Sequence, residues 1–119
     1  MLKKVSALFL FLSVTGNSWA GSMACSGIID FVLVSRTGNI EVYSTQLYGN
    51  TLGRNICNLN TTWKTVTPET CKVWYSTLLA QAQAKPTRMY YLTEEAETCP
   101  LIPTYGNAVA PHGIAFEKD

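Results

Sequence analysis

Residues 56–92 read ICNLNTTWKTVTPETCKVWYSTLLAQAQAKPTRMYYL, and the fold turns on how they are read. Ile56 to Trp63 alternates, with Cys57, Leu59, Thr61 and Trp63 on one face and Asn58, Asn60 and Thr62 on the other. A period of two marks a strand with one side against a core. Thr67-Pro68-Glu69-Thr70 then opens a helix. Thr67 can accept from a free amide, Pro68 has the fixed φ of a first helical residue, and Glu69 suits the positive end of the helix dipole. Cys71, Trp74, Tyr75, Leu78 and Ala82 recur at spacings of three and four, forming one apolar stripe with Lys72, Gln81 and Gln83 off it. Pro86 ends the helix near Ala84, because it bars Lys85 from the helical region. Thr87 to Leu92 (TRMYYL) reads as the next strand.

Working outward, Ile28 to Ser35 (IIDFVLVS) is short, β-branched and aromatic, which favours a strand. Arg36-Thr37-Gly38-Asn39 turns the chain, and Ile40 to Thr45 alternates again, completing a β-hairpin. Gln46 to Asn55, with Gly49, Asn50 and Gly53, reads as a loop. Downstream come an acidic loop, Thr93–Thr98, then turn formers over Pro100–Pro111, then a short fifth strand, Gly113–Glu117. The order β-β-β-α-β-β predicts a mainly β fold with one helix (α+β). A five-stranded OB-like barrel carries its helix between strands three and four. The rival is an open antiparallel sheet with the helix on one face.

The chain begins Met1-Leu2-Lys3-Lys4, followed by an apolar run from Val5 to Val14 and a polar exit ending Ser18-Trp19-Ala20. A basic start, a short greasy middle and small residues at the exit predict a signal peptide over 1–20, cut before Gly21. The run is roughly half the 20 or so residues a spanning helix needs. A lipid-bearing cysteine is the lesser reading of Cys25, because Gly21–Ala24 lacks the usual leucine. Removing residues 1–20 of the 119 leaves 99, a single domain over 21–119 with seven basic residues against eight acidic ones. That near-neutral balance carries no basic stripe for nucleic acid, and no amphipathic or polybasic segment for a membrane surface. The expected location is the periplasm or the outside of a bacterial cell.

All four cysteines, Cys25, Cys57, Cys71 and Cys99, fall after residue 20. An even count in a short exported chain predicts two disulfides. Zinc sites favour close pairs such as C-x2-C, which are absent here. Three pairings are open. The predicted layout favours Cys57 with Cys99, joining the loops around strands three and four. Cys25, just before the first strand, then pairs with Cys71 on the helix stripe.

No residue set announces catalysis. His112, between Pro111 and Gly113, is the only histidine, and no G-x-S-x-G or cysteine-nucleophile signature accompanies it. Glu94, Glu95 and Glu97 share one loop, which suits neither the fixed separation of glycosidase carboxylates nor the Asp, Asn and Gly of a calcium loop. A solvated acidic loop is the simpler reading. Trp63, Tyr43, Tyr48, Tyr90, Tyr91 and Tyr105 supply aromatic surface that could stack on sugars or anchor a protein partner, with core packing expected to take half or more. Alternation sets Tyr90 and Tyr91 on opposite faces. Asn60-Thr61-Thr62 matches a glycosylation pattern, idle behind a signal of bacterial type.

Cys57, Trp63, the helix run Tyr75–Ala82, the strand Arg88–Tyr91 and Cys99 together resemble a broad set of small exported bacterial proteins. The export signal, strand order and Leu78-Leu79 pair also bear a distant similarity to the B subunits of AB5 toxins, particularly the subtilase-type. That resemblance implies binding to glycans and assembly into homo-oligomers; no sugar-contacting residue carries over from it. The sequence thus predicts an exported, non-enzymatic binding domain with a glycan or protein partner and no cofactor. A small hydrolase using His112 with an acidic residue, and a structural envelope protein with no small ligand, are the alternatives.

Overall fold

The computed structural model describes residues 21–81 and 85–116. The predicted signal peptide, the predicted helix end at 82–84 and Glu117 lie outside them. In chain order the elements are β1 (Ser22–Gly27), β2 (Phe31–Val34), β3 (Asn39–Tyr43), α1 (Thr45–Tyr48), β4 (Arg54–Asn58), α2 (Pro68–Gln81), β5 (Thr87–Leu92), a 3-10 turn (Cys99–Leu101) and β6 (Gly113–Phe116). The class is mainly β with two helices, so α+β holds. The five-stranded barrel does not: the described strands form two three-stranded antiparallel sheets, ordered β2-β3-β4 and β1-β5-β6.

The extra strand explains the difference. Ser-Met-Ala-Cys-Ser-Gly is poor in β-branched residues, so local preference does not mark β1. It is a strand because it pairs along its whole length with β5, from Ser22 opposite Leu92 to Gly27 opposite Thr87. Gly27 also lets α1 come close, since a Cβ there would stand 2.4 Å from the Gln46 Cβ. The α1 helix itself is set by its ends. The Ser44 hydroxyl accepts from the Leu47 amide at 3.0 Å, and Gly49 closes the turn at φ 75°.

Between β3 and β4 the register slips, Ile40 facing Cys57 but Glu41 facing Asn55, so Ile56 is an extra residue in β4. Ile40, Val42 and Ile56 are all buried, with Ile29, Leu47, Leu78, Met89, Tyr91 and Ile102. Among them lies one cation, Arg54, 1% exposed. Its Nε and Nη2 donate to the Ile102 carbonyl at 3.1 and 3.0 Å, and its Nη1 donates to Asn50 Oδ1 and the Leu52 carbonyl, both at 2.7 Å. The guanidinium lies 4.6 Å from the Tyr48 ring centre. A buried charge needs such replacement for its lost water, and here it ties the 50–52 loop to the 100–102 segment.

The disulfides are Cys25–Cys99 and Cys57–Cys71, which corrects the pairing favoured from the sequence. That pairing placed Cys25 in a lead-in segment. As part of β1 it sits opposite Met89 of β5, on the side of the molecule where Cys99 returns. Cys57 meets Cys71 because the chain between them doubles back at Trp63–Val66, bringing the first turn of α2 over β4.

Candidate functional site

The doubling-back is a tight turn. Trp63 and Val66 exchange backbone hydrogen bonds at 3.0 and 2.9 Å, and the two residues between them, Lys64 and Thr65, have φ of 47° and 72°. A two-residue turn of this hand is normally made by Asn-Gly, because both central residues need positive φ. A β-branched threonine there is strained. The turn holds Lys64 and Thr65 against the segment leading into β6. Lys64 Nζ donates to the Ala108 carbonyl at 2.6 Å and lies 4.9 Å from the Trp63 ring centre.

The result is a cleft of about 370 Å³. Lys64, Thr65, Glu95 and His112 supply its polar groups, and Leu92 with residues 109–111 its apolar wall. His112 reaches it through the end of β5: its backbone amide donates to the Tyr90 carbonyl at 2.8 Å, and its Nε2 is 2.9 Å from the Ser22 hydroxyl. The Tyr90 ring stands edge-on to the imidazole at 6.4 Å. Ligand sites are of this kind, apolar concavities with a few converging polar groups.

Of the residues singled out from the sequence, His112 and Glu95 line this cleft and Glu94 and Glu97 do not, all three glutamates being exposed. Among the described residues no carboxylate hydrogen-bonds or pairs with His112, so the third member of a catalytic triad is not assembled. Nor does any group of three His, Cys, Asp or Glu side chains there stand close enough to hold a metal ion. All four cysteines are bridged. Tyr48 and Tyr91 belong to the core, joined hydroxyl to hydroxyl at 2.9 Å, and Tyr90 is half-buried on the opposite face. Tyr43 stacks on Phe31, and Tyr105 is exposed.

Lys64, Thr65 and Ser22 were not legible as site residues. Trp63-Lys64-Thr65-Val66 carries no glycine or asparagine to announce a turn, and Ser22 precedes the first predicted strand. No protein-family model, no curated protein and no solved structure matches this chain.

Proposed function

We propose that this is an exported, non-enzymatic binding domain that holds a glycan or protein partner at the Lys64–His112 cleft. The observation that carries the reading is the strained Lys64–Thr65 turn. Backbone strain persists where the surroundings over-determine it, and such positions cluster at binding sites. Here it sets an ammonium group and a hydroxyl beside Glu95 and His112, above an apolar wall. The two disulfides fit an oxidising compartment outside the cytoplasm. The similarity to toxin B subunits favours a glycan and a homo-oligomer. The deciding experiment is a glycan-array and envelope-protein capture screen with the oxidised chain from Gly21 to Asp119. Binding that weakens in Lys64→Ala and His112→Ala supports the cleft, whereas a folded protein that retains nothing above background contradicts it.

A second reading has one observation in its favour, the Ser22–His112 contact, which pairs a hydroxyl with a base. It expects hydrolysis of a chromogenic ester that both Ser22→Ala and His112→Ala abolish. Equal turnover by either variant removes it.

A further inference from the structure

The β2-β3-β4 sheet has two edges, and among the described residues only the β4 edge is closed. There Tyr105 bridges to Arg54: its amide donates to the Gly53 carbonyl at 2.7 Å, and its carbonyl accepts from the Asn55 amide at 3.3 Å. The other edge is β2, Phe31-Val32-Leu33-Val34. Edge strands are normally blunted by lysine, by proline or by a covering segment. β2 contains neither residue, and Phe31, Leu33 and Val34 are 49%, 39% and 40% exposed.

The register fixes which backbone groups of β2 face out. The Ser35 amide donates to the Asn39 carbonyl at 2.9 Å, so that pair is hydrogen-bonded. Bonded and non-bonded pairs alternate along an antiparallel ladder. Phe31 opposite Tyr43 and Leu33 opposite Glu41 are therefore bonded to β3. Val32 opposite Val42 and Val34 opposite Ile40 turn their amides and carbonyls outward instead. A row of outward donors and acceptors at strand spacing is met by another strand.

We propose that β2 is a dimerisation edge, along which a second copy of this chain lays its own β2 antiparallel across a two-fold axis. A two-fold contact must be complementary to itself, and the residues around β2 are. With Leu33 opposite Leu33 of the other copy, Val32 of each chain faces Val34 of the other. Every outward amide and carbonyl then finds a partner, and the two sheets continue as one. Phe31 of each copy lies diagonal to Leu33 of the other. The same register sets Asp30 of each copy against Arg36 of the other, since these residues flank β2 on its two sides. Both are exposed. Asp30 Oδ2 accepts from the Thr45 amide at 2.9 Å, and the Arg36 guanidinium has no acceptor among the described residues. Centring the pairing on Val32 or Val34 parts these charges. The charge pattern that completes the edge is thus the chain's own. This inference deepens the homo-oligomer part of the reading above and rests on that part, giving it a surface and a symmetry, and it is independent of what the cleft holds.

Sedimentation velocity of the oxidised chain from Gly21 to Asp119 tests it, with the protein raised to about 1 mM. The contact is small, so the dimer should be weak, with a Kd on the order of 100 µM. Amide exchange at Val32 and Val34 should slow as the dimer fills. Leu33→Lys sets like charges against each other at the axis and should leave only monomer, with near-UV circular dichroism unchanged. Arg36→Glu should weaken association roughly tenfold, and adding Asp30→Lys to it should recover most of the loss. Lys64→Ala should leave the dimer intact. A monomer at every concentration, a stoichiometry other than two, or association that survives Leu33→Lys overturns the β2 edge while the cleft is judged by its own screen. Cleft binding that is lost while the dimer persists contradicts the cleft alone and leaves the edge standing.

Discussion

Single residues carry much of the shape. Thr65 at φ 72° is the plainest strain in the described chain, a β-branched side chain in the left-handed region. Thr65→Gly should raise stability by about 1 kcal/mol, relieving left-handed strain at one residue, as a shifted urea midpoint with unchanged slope. The same variant should weaken ligand capture if the strain holds the cleft in shape. Gly53 behaves oppositely, since any larger residue must displace the Tyr43 ring.

Tyr48 and Tyr91 give a pH signature. Burial pushes the Tyr48 phenol up to about 12 and Tyr91 well above its ordinary value. The unfolded chain releases these protons near pH 10, the folded one only higher. Below about pH 10 both states hold them, and these groups add no pH dependence. Above it the unfolded state binds fewer protons, so stability falls as pH rises from about 10 toward 12. Denaturation at stepped alkaline pH, with tyrosinate absorbance as the proton count, should show the decline, and Tyr48→Phe should flatten it. These burials were half legible. Alternation separated Tyr90 from Tyr91, but nothing near Tyr48 announced a capped helix, so that residue read as part of a loop.

The elements divide by how far their own residues specify them. The β2-β3 hairpin, α2 and β5 were legible because periodicity, capping residues and Pro86 act locally. β1 and α1 were not. The first is made a strand by β5, the second is four residues fixed by Ser44 and Gly49. Missing β1 also led to the wrong disulfide pairing, since pairing depends on what lies beside what. The Cys57–Cys71 bridge anchors α2, whose Val73 and Leu79 are 64% and 65% exposed and whose buried described residues are Cys71 and Leu78. Closing a loop of 14 residues is worth about 3 kcal/mol in the chain-entropy model. Cys57→Ser with Cys71→Ser should cost about that much. Hydrogen exchange should quicken in α2 before it does in β5, whose strand is paired on both sides by β1 and β6. Uniform loss of protection across both would show that the bridge holds the whole domain, not one helix.

For the whole molecule, two three-stranded sheets, each joined elsewhere by a disulfide, present the cleft at the end of β5. The order of periodic segments made the α+β class legible, though not the two-sheet arrangement, and the even cysteine count made the covalent clamp legible. The cleft was not, because Ser22, Lys64, Glu95 and His112 are far apart in sequence and each is ordinary alone. Peptide mapping under non-reducing conditions should return Cys25–Cys99 and Cys57–Cys71 and no free thiol. The measurement that bears most directly on the account is an amide chemical-shift titration of the oxidised, isotope-labelled chain from Gly21 to Asp119 with a pool of neutral oligosaccharides. The account predicts saturable shifts confined to residues around Lys64, Glu95 and His112, with the remaining amides unmoved. A well-dispersed spectrum in which no amide moves at saturating saccharide, or in which all drift together, would contradict a saccharide-binding role for this domain.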